Sequence, residues 1–122
     1  MSVRALRGAT TVDVDERDHV RDRVVEMLQQ LVERNGLDFD DLISAFFTAT
    51  SELNSVFPAT AAREYLPADL PLLCAQEMNT VGALGRCIRV MLHVETPKSR
   101  SDVSHVFLHG ARVLRPDLVD PE

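Results

Sequence analysis

Apolar residues recur at Val20, Val24, Met27, Leu28, Leu31 and Val32, a period of about 3.6 residues that only an α-helix gathers into one buried stripe. Asp13 and Asp15 precede the stripe as candidate N-caps, and Gly36 follows it as a candidate left-handed stop. A stripe this long must be covered. In 122 residues, 45% of them apolar, the remaining material is mostly short runs of strand length. The expected fold is therefore α+β, a mixed β-sheet packed on one long amphipathic helix. A single domain should span 1–122, with about 117–122 as a flexible tail.

Val3 to Ala9 reads as a first strand, with Val3, Ala5 and Arg7 on one face. Asp38 to Asp41 forms a turn or 3₁₀ segment before Leu42 to Ala49, an apolar run without alternation that suits a central strand covered on both faces. Phe57 and Pro58 open a short helical stretch through Ala59, Ala61, Ala62 and Arg63, closed by Pro67. Leu70 to Ala75 is a further apolar run, which places Glu77 at the end of a buried strand. From Cys87 to Val94 the alternation sets Ile88, Val90, Leu92 and Val94 on one face and Arg89 mid-strand on the other. Ser104 to Leu108 reads as a last strand, and Ala111 to Leu118 as an ending held by Leu114.

A formal net charge of −6 is the wrong sign for a nucleic-acid surface. No run approaches the roughly 20 apolar residues of a membrane span, and Met1 to Thr10 lacks a signal-type apolar stretch, so a cytoplasmic protein is expected. In that reducing compartment Cys74 and Cys87 are free thiols. Cys74, Cys87, His93 and His105 contain no close ligand pair, and there is no glycine-rich phosphate loop, so neither metal nor cofactor is expected. A short chain leaves apolar surface uncovered, which favours burial against copies of itself.

The informative anomaly is arginine on strands. Arg7 closes a strand face, Arg89 sits mid-strand, and Arg63 and Arg115 flank short apolar segments. Guanidinium groups stay charged when desolvated and donate paired hydrogen bonds, so several together suit a ligand with carboxylates. Each alone also reads as a surface side chain at a sheet edge. Glu77 reads equally as a base, an acceptor for a ligand hydroxyl, or an ion-pair partner of an arginine. Cys74 has no neighbouring histidine to activate it and reads as a small hydrophobe.

Five blocks in order carry a family resemblance: Arg7-Gly8-Ala9-Thr10-Thr11, Val56-Phe57-Pro58-Ala59 with Arg63, Cys74-Ala75-Gln76-Glu77-Met78, Cys87-Ile88-Arg89-Val90-Met91, and Val113-Leu114-Arg115-Pro116-Asp117-Leu118. Along essentially the whole chain this resembles the monofunctional chorismate mutases of the bacterial trimeric class. The resemblance implies a homotrimeric pseudo-barrel with active sites at subunit interfaces. It also implies a Claisen rearrangement of chorismate to prephenate, towards phenylalanine and tyrosine, without cofactor or metal.

The same resemblance implies the site. Arg89 donates to the ether oxygen, Arg7 binds the enolpyruvyl carboxylate, and Glu77 and Cys74 contact the ring hydroxyl. Phe57, Ala59, Leu72, Leu73 and Leu114 line the pocket, while Arg63 and Arg115 lie near the ring carboxylate. Thr60 stands where the family often has lysine, and Phe107 where it often has tyrosine, so one distant charge and one hydroxyl are missing. The competing expectation is a trimer of the same architecture that binds small carboxylates at its interfaces without turnover.

Overall fold

The computed structural model describes residues 1–114. Strand β1 (Ser2–Thr11) leads into helix α1 (Arg17–Arg34), a 3₁₀ turn (Phe39–Asp41), β2 (Leu42–Ala49) and helix α2 (Pro58–Ala62). Strands β3 (Leu72–Gln76), β4 (Cys87–Thr96) and β5 (Val106–Phe107) follow, and a second 3₁₀ turn covers His109–Val113. The sheet runs β3-β2-β4-β1-β5. Strand β4 is its spine, antiparallel to both β1 and β2, while β3 and β5 add parallel edges. The expected mixed sheet is present. The one long helix is joined by a second, short α-helix among the described residues, α2, at the stretch opened by Phe57 and Pro58.

The six apolar positions that define the helical stripe are all buried, and they meet Leu6, Phe47, Ile88, Leu92 and Val94 on one face of the sheet. The closest approach is at Gly8, where a Cβ would stand 2.9 Å from Val90 Cγ1, 3.0 Å from Leu31 Cδ1 and 3.1 Å from Met27 Cγ. Only glycine lets α1 lie this near β1. The helix ends as its sequence suggests. Gly36 has φ of 62°, its N–H donates to the Glu33 carbonyl, and the Leu37 N–H donates to the Val32 carbonyl. Those two bonds make a Schellman stop.

The helix start differs from expectation. Its N-cap is Glu16, with no side-chain capping bond. The two aspartates are engaged elsewhere: Asp13 pairs with Arg23 at 3.0 Å, and Asp15 accepts the N–H groups of Asn54 and Ser55. Tertiary partners have taken the acceptors that a local cap would use.

Strand β2 is covered on one face rather than two. Leu42, Ala45, Phe47 and Ala49 are buried, while Ile43 and Phe46 are each 38% exposed. A register shift between Leu42 and Ser44 re-phases the start of the strand. Strand β3 lies at the sheet edge and is mostly exposed, so Glu77 does not end a buried strand. Strand β5 is shorter than read, covering only Val106–Phe107, and Asn35 holds Ser104, two residues ahead of it. Asn35 Oδ1 accepts the Ser104 N–H at 2.7 Å and Nδ2 donates to the Ser104 carbonyl at 2.9 Å. Arg115 and the expected tail lie outside the described residues.

Candidate active site

The face of the sheet turned away from α1 carries the arginines. Register sets Ala9 opposite Arg89 and Arg7 opposite Met91 across β1 and β4. Thr48 stands opposite Arg89 and Phe46 opposite Met91 across β2 and β4. Strand alternation sends all six side chains to the same face. They surround a cavity of about 210 Å³.

Glu77 joins this face from the end of β3, its N–H donating to the Ala49 carbonyl at 2.9 Å. Its Oε2 accepts two hydrogen bonds, from Thr48 Oγ1 at 2.8 Å and from Arg89 Nε at 3.1 Å. The Arg89 side chain is 34% exposed and that of Glu77 17%, so the pair is only partly hydrated and is stronger than a surface ion pair. The pair engages Nε. The two terminal Nη groups hold the other four donors of the fork. The Arg7 guanidinium carbon lies 5.7 Å from the centroid of the buried Phe107 ring, and the Arg7 backbone N–H donates to His105 Nδ1 at 2.9 Å. Leu114 packs on the Ala9, Phe107 and Ala111 cluster beside it.

A second, larger cavity of about 570 Å³ opens where the 50–57 loop meets α2 and β3. Phe57, Thr60 and Cys74 line it, together with Arg17 from the start of α1. Asp15 shapes its wall through the Asn54 and Ser55 N–H groups at 2.9 and 3.1 Å. The Asn54 N–H chiefly, with the Ser55 N–H beside it, holds the Asp15 carboxyl below the usual carboxylate range. Ala59 and Leu72 are half-buried against the core nearby, while Leu73 is exposed opposite Phe46. Arg63 is exposed and folds back on its own turn, donating to the Pro67 carbonyl at 2.8 Å.

One chain therefore divides the sequence-read site. Arg7, Arg89, Glu77, Phe107 and Leu114 belong to the arginine face. Phe57, Thr60 and Cys74 belong to the larger cavity, and the two cavities share no lining residue. Glu77 and Cys74 are not brought together, because Cys74 pairs with buried Phe47 and follows its side of the sheet. Two contributors escaped the sequence reading. Thr48 was one hydroxyl inside an apolar run, and its register against Arg89 was not legible. Arg17 was one arginine among several at a helix start.

Donors around a fixed carboxylate can position a hydroxyl and stabilise negative charge on an oxygen. Nucleophilic chemistry finds no support at Cys87, whose thiol is pushed up to about 11 chiefly by burial, against the favourable charge of Arg89. Among the described residues no group of three or more His, Cys, Asp or Glu is placed to hold a metal ion. The family model for chorismate mutase type I matches residues 3–118. The chain belongs to the type I chorismate mutase family. The chorismate mutase AroH of Bacillus subtilis (strain 168) is 39% identical over 119 residues, covering 97% of this chain and 94% of that protein. The Thermus thermophilus chorismate mutase AroH is 41% identical over 119 residues, covering 95% and 96%. The fold agrees: a chorismate mutase from Clostridium thermocellum superimposes with a TM-score of 0.86 at 44% identity, covering 89% of this chain and 97% of that one.

Proposed function

We propose that the two half-sites meet across the interfaces of a homotrimer, the Arg7–Arg89–Glu77 face of one protomer closing on the Phe57–Cys74 cavity of the next. The activity follows from family membership. This chain is a chorismate mutase, an isomerase that converts chorismate to prephenate in aromatic amino acid biosynthesis. A carboxylate-binding trimer without turnover is not favoured. The interface reading is supported by the split of the site between two cavities and by apolar groups left uncovered around both, among them Phe46, Phe57 and Leu73. A cytoplasmic location suits a biosynthetic enzyme none of whose described helices is long and apolar enough to cross a membrane.

The observation that carries the mechanism is the Arg89 Nε to Glu77 Oε2 pair at 3.1 Å, braced by Thr48. The rearrangement breaks an ether C–O bond and forms a C–C bond within one molecule. No proton moves and no nucleophile adds, so catalysis lies in holding the compact chair and in meeting charge as it develops. Negative charge grows on the ether oxygen, where the Nη groups of Arg89 donate. Glu77 fixes that guanidinium and accepts the ring hydroxyl, which Cys74 contacts from the neighbouring protomer. Arg7 takes the enolpyruvyl carboxylate. Phe57, Ala59, Leu72, Leu73 and Leu114 wall the ring from water, and Arg63 and Arg115 draw the second carboxylate.

The test follows the ultraviolet loss of chorismate for the wild type and for Arg89→Ala at matched folding and oligomeric state. Removing one preorganised donor should lower kcat about 100- to 1,000-fold. A fully active monomer in sedimentation would sink the interface reading, and an unimpaired Arg89→Ala would sink the assigned role.

A further inference from the structure

The larger cavity has apolar and neutral walls except at one point. Among the described residues that line it, Arg17 alone is charged. The other arginines near the helix start are engaged: Arg21 with Asp18 and Asp22, Arg23 with Asp13 and the Thr11 carbonyl, and Arg86 with the Asp13 carbonyl. The Arg17 guanidinium has no ion pair or hydrogen bond among the described residues, although the chain is rich in carboxylates. An exposed cation at the rim of an uncharged cavity of about 570 Å³ raises the local potential for anions just where low-dielectric walls screen it least.

We infer that Arg17 captures a carboxylate of the substrate at the mouth of this cavity and so sets substrate affinity, an inference that rests on the cavity being half of the active site. Thr60 lines the same cavity and brings no charge, so Arg17 supplies the positive charge among the described lining residues, ahead of Arg63 and Arg115 in meeting the incoming ligand. The long guanidinium stem can reach over the rim while Phe57 and Val56 contact the apolar part of the ligand. Within one chain Arg17 is absent from the lining of the arginine face, and its contribution is to binding and not to the bond-breaking step.

The test compares wild type, Arg17→Ala, Arg17→Gln and Arg17→Lys, with Arg21→Ala as a control for loss of surface charge at the same helix. Each is assayed with chorismate at low and moderate salt, and inhibition by prephenate is measured alongside. Arg17→Ala and Arg17→Gln should raise KM and the prephenate inhibition constant about five- to tenfold with kcat within about twofold, and flatten the salt dependence of kcat/KM. Arg17→Lys should recover most of the loss, as should Thr60→Lys placed on Arg17→Ala. An unchanged KM, a loss confined to kcat, or an equal rise in Arg21→Ala would overturn the capture role. A wild type with no turnover would instead overturn the reading of the cavity itself.

Discussion

Thr48 and Arg89 face each other across the β2–β4 ladder and both donate to the same atom, Oε2 of Glu77, at 2.8 and 3.1 Å. One carboxylate oxygen thus ties two strands and the end of a third into a fixed constellation. Hydrogen bonds to charged groups contribute about 1.5–3 kcal/mol, and the geometry they hold must persist while the ether bond stretches.

Thr48→Val should therefore lower kcat about tenfold, with a smaller effect on KM, because the valine keeps the strand packing and removes only the brace. Thr48→Ser, which retains the hydroxyl, should restore the rate. Steady-state kinetics on both variants decides the matter: a serine variant as slow as the valine one would mean that Thr48 serves packing alone.

The secondary structure was legible because periodicity is local. Six stripe positions and the alternation of Cys87 to Val94 each report their own neighbourhood, and both predicted the observed burial. Long-range competition was not legible. Asp13 and Asp15 are good caps in isolation, yet Arg23 and the 54–55 backbone claim them. The apolar run of β2 suggested two covered faces because its outward side chains, Ile43 and Phe46, are as apolar as its inward ones. Within the site, residue types pointed to the arginines, and family resemblance assigned them roles. The division of the site between the two sides of the sheet is set by strand register, which no single segment encodes.

Phe107 supports Arg7 only through its ring, whose centroid lies 5.7 Å from the guanidinium carbon. A hydroxyl added there would offer the enolpyruvyl carboxylate one further donor, and a hydrogen bond to a charged group is worth about 1.5–3 kcal/mol. Phe107→Tyr should lower KM for chorismate while leaving the fold intact. Titration with substrate checks this directly. Kinetics equal to or worse than the wild type would count against a carboxylate lying beside this ring.

Asp15 gives the molecule an acid-sensitive wall. Its carboxyl is held below the ordinary value of 3.8, chiefly by the Asn54 N–H, so the native state binds its proton less readily than the unfolded chain does. The sign follows: the contribution of Asp15 to stability is fully present above that ordinary value and is lost as pH falls through the lower folded one. Asp15→Asn should therefore unfold at a lower temperature than wild type near neutral pH, with the gap narrowing below about pH 4. Because the same carboxylate holds the Asn54 and Ser55 N–H groups that shape the larger cavity, the variant should also show a raised KM at neutral pH. Thermal unfolding across the acid range, paired with chorismate kinetics at pH 7, tests both halves. A stability gap that stays constant with pH would mean that Asp15 acts by its shape and not by its charge.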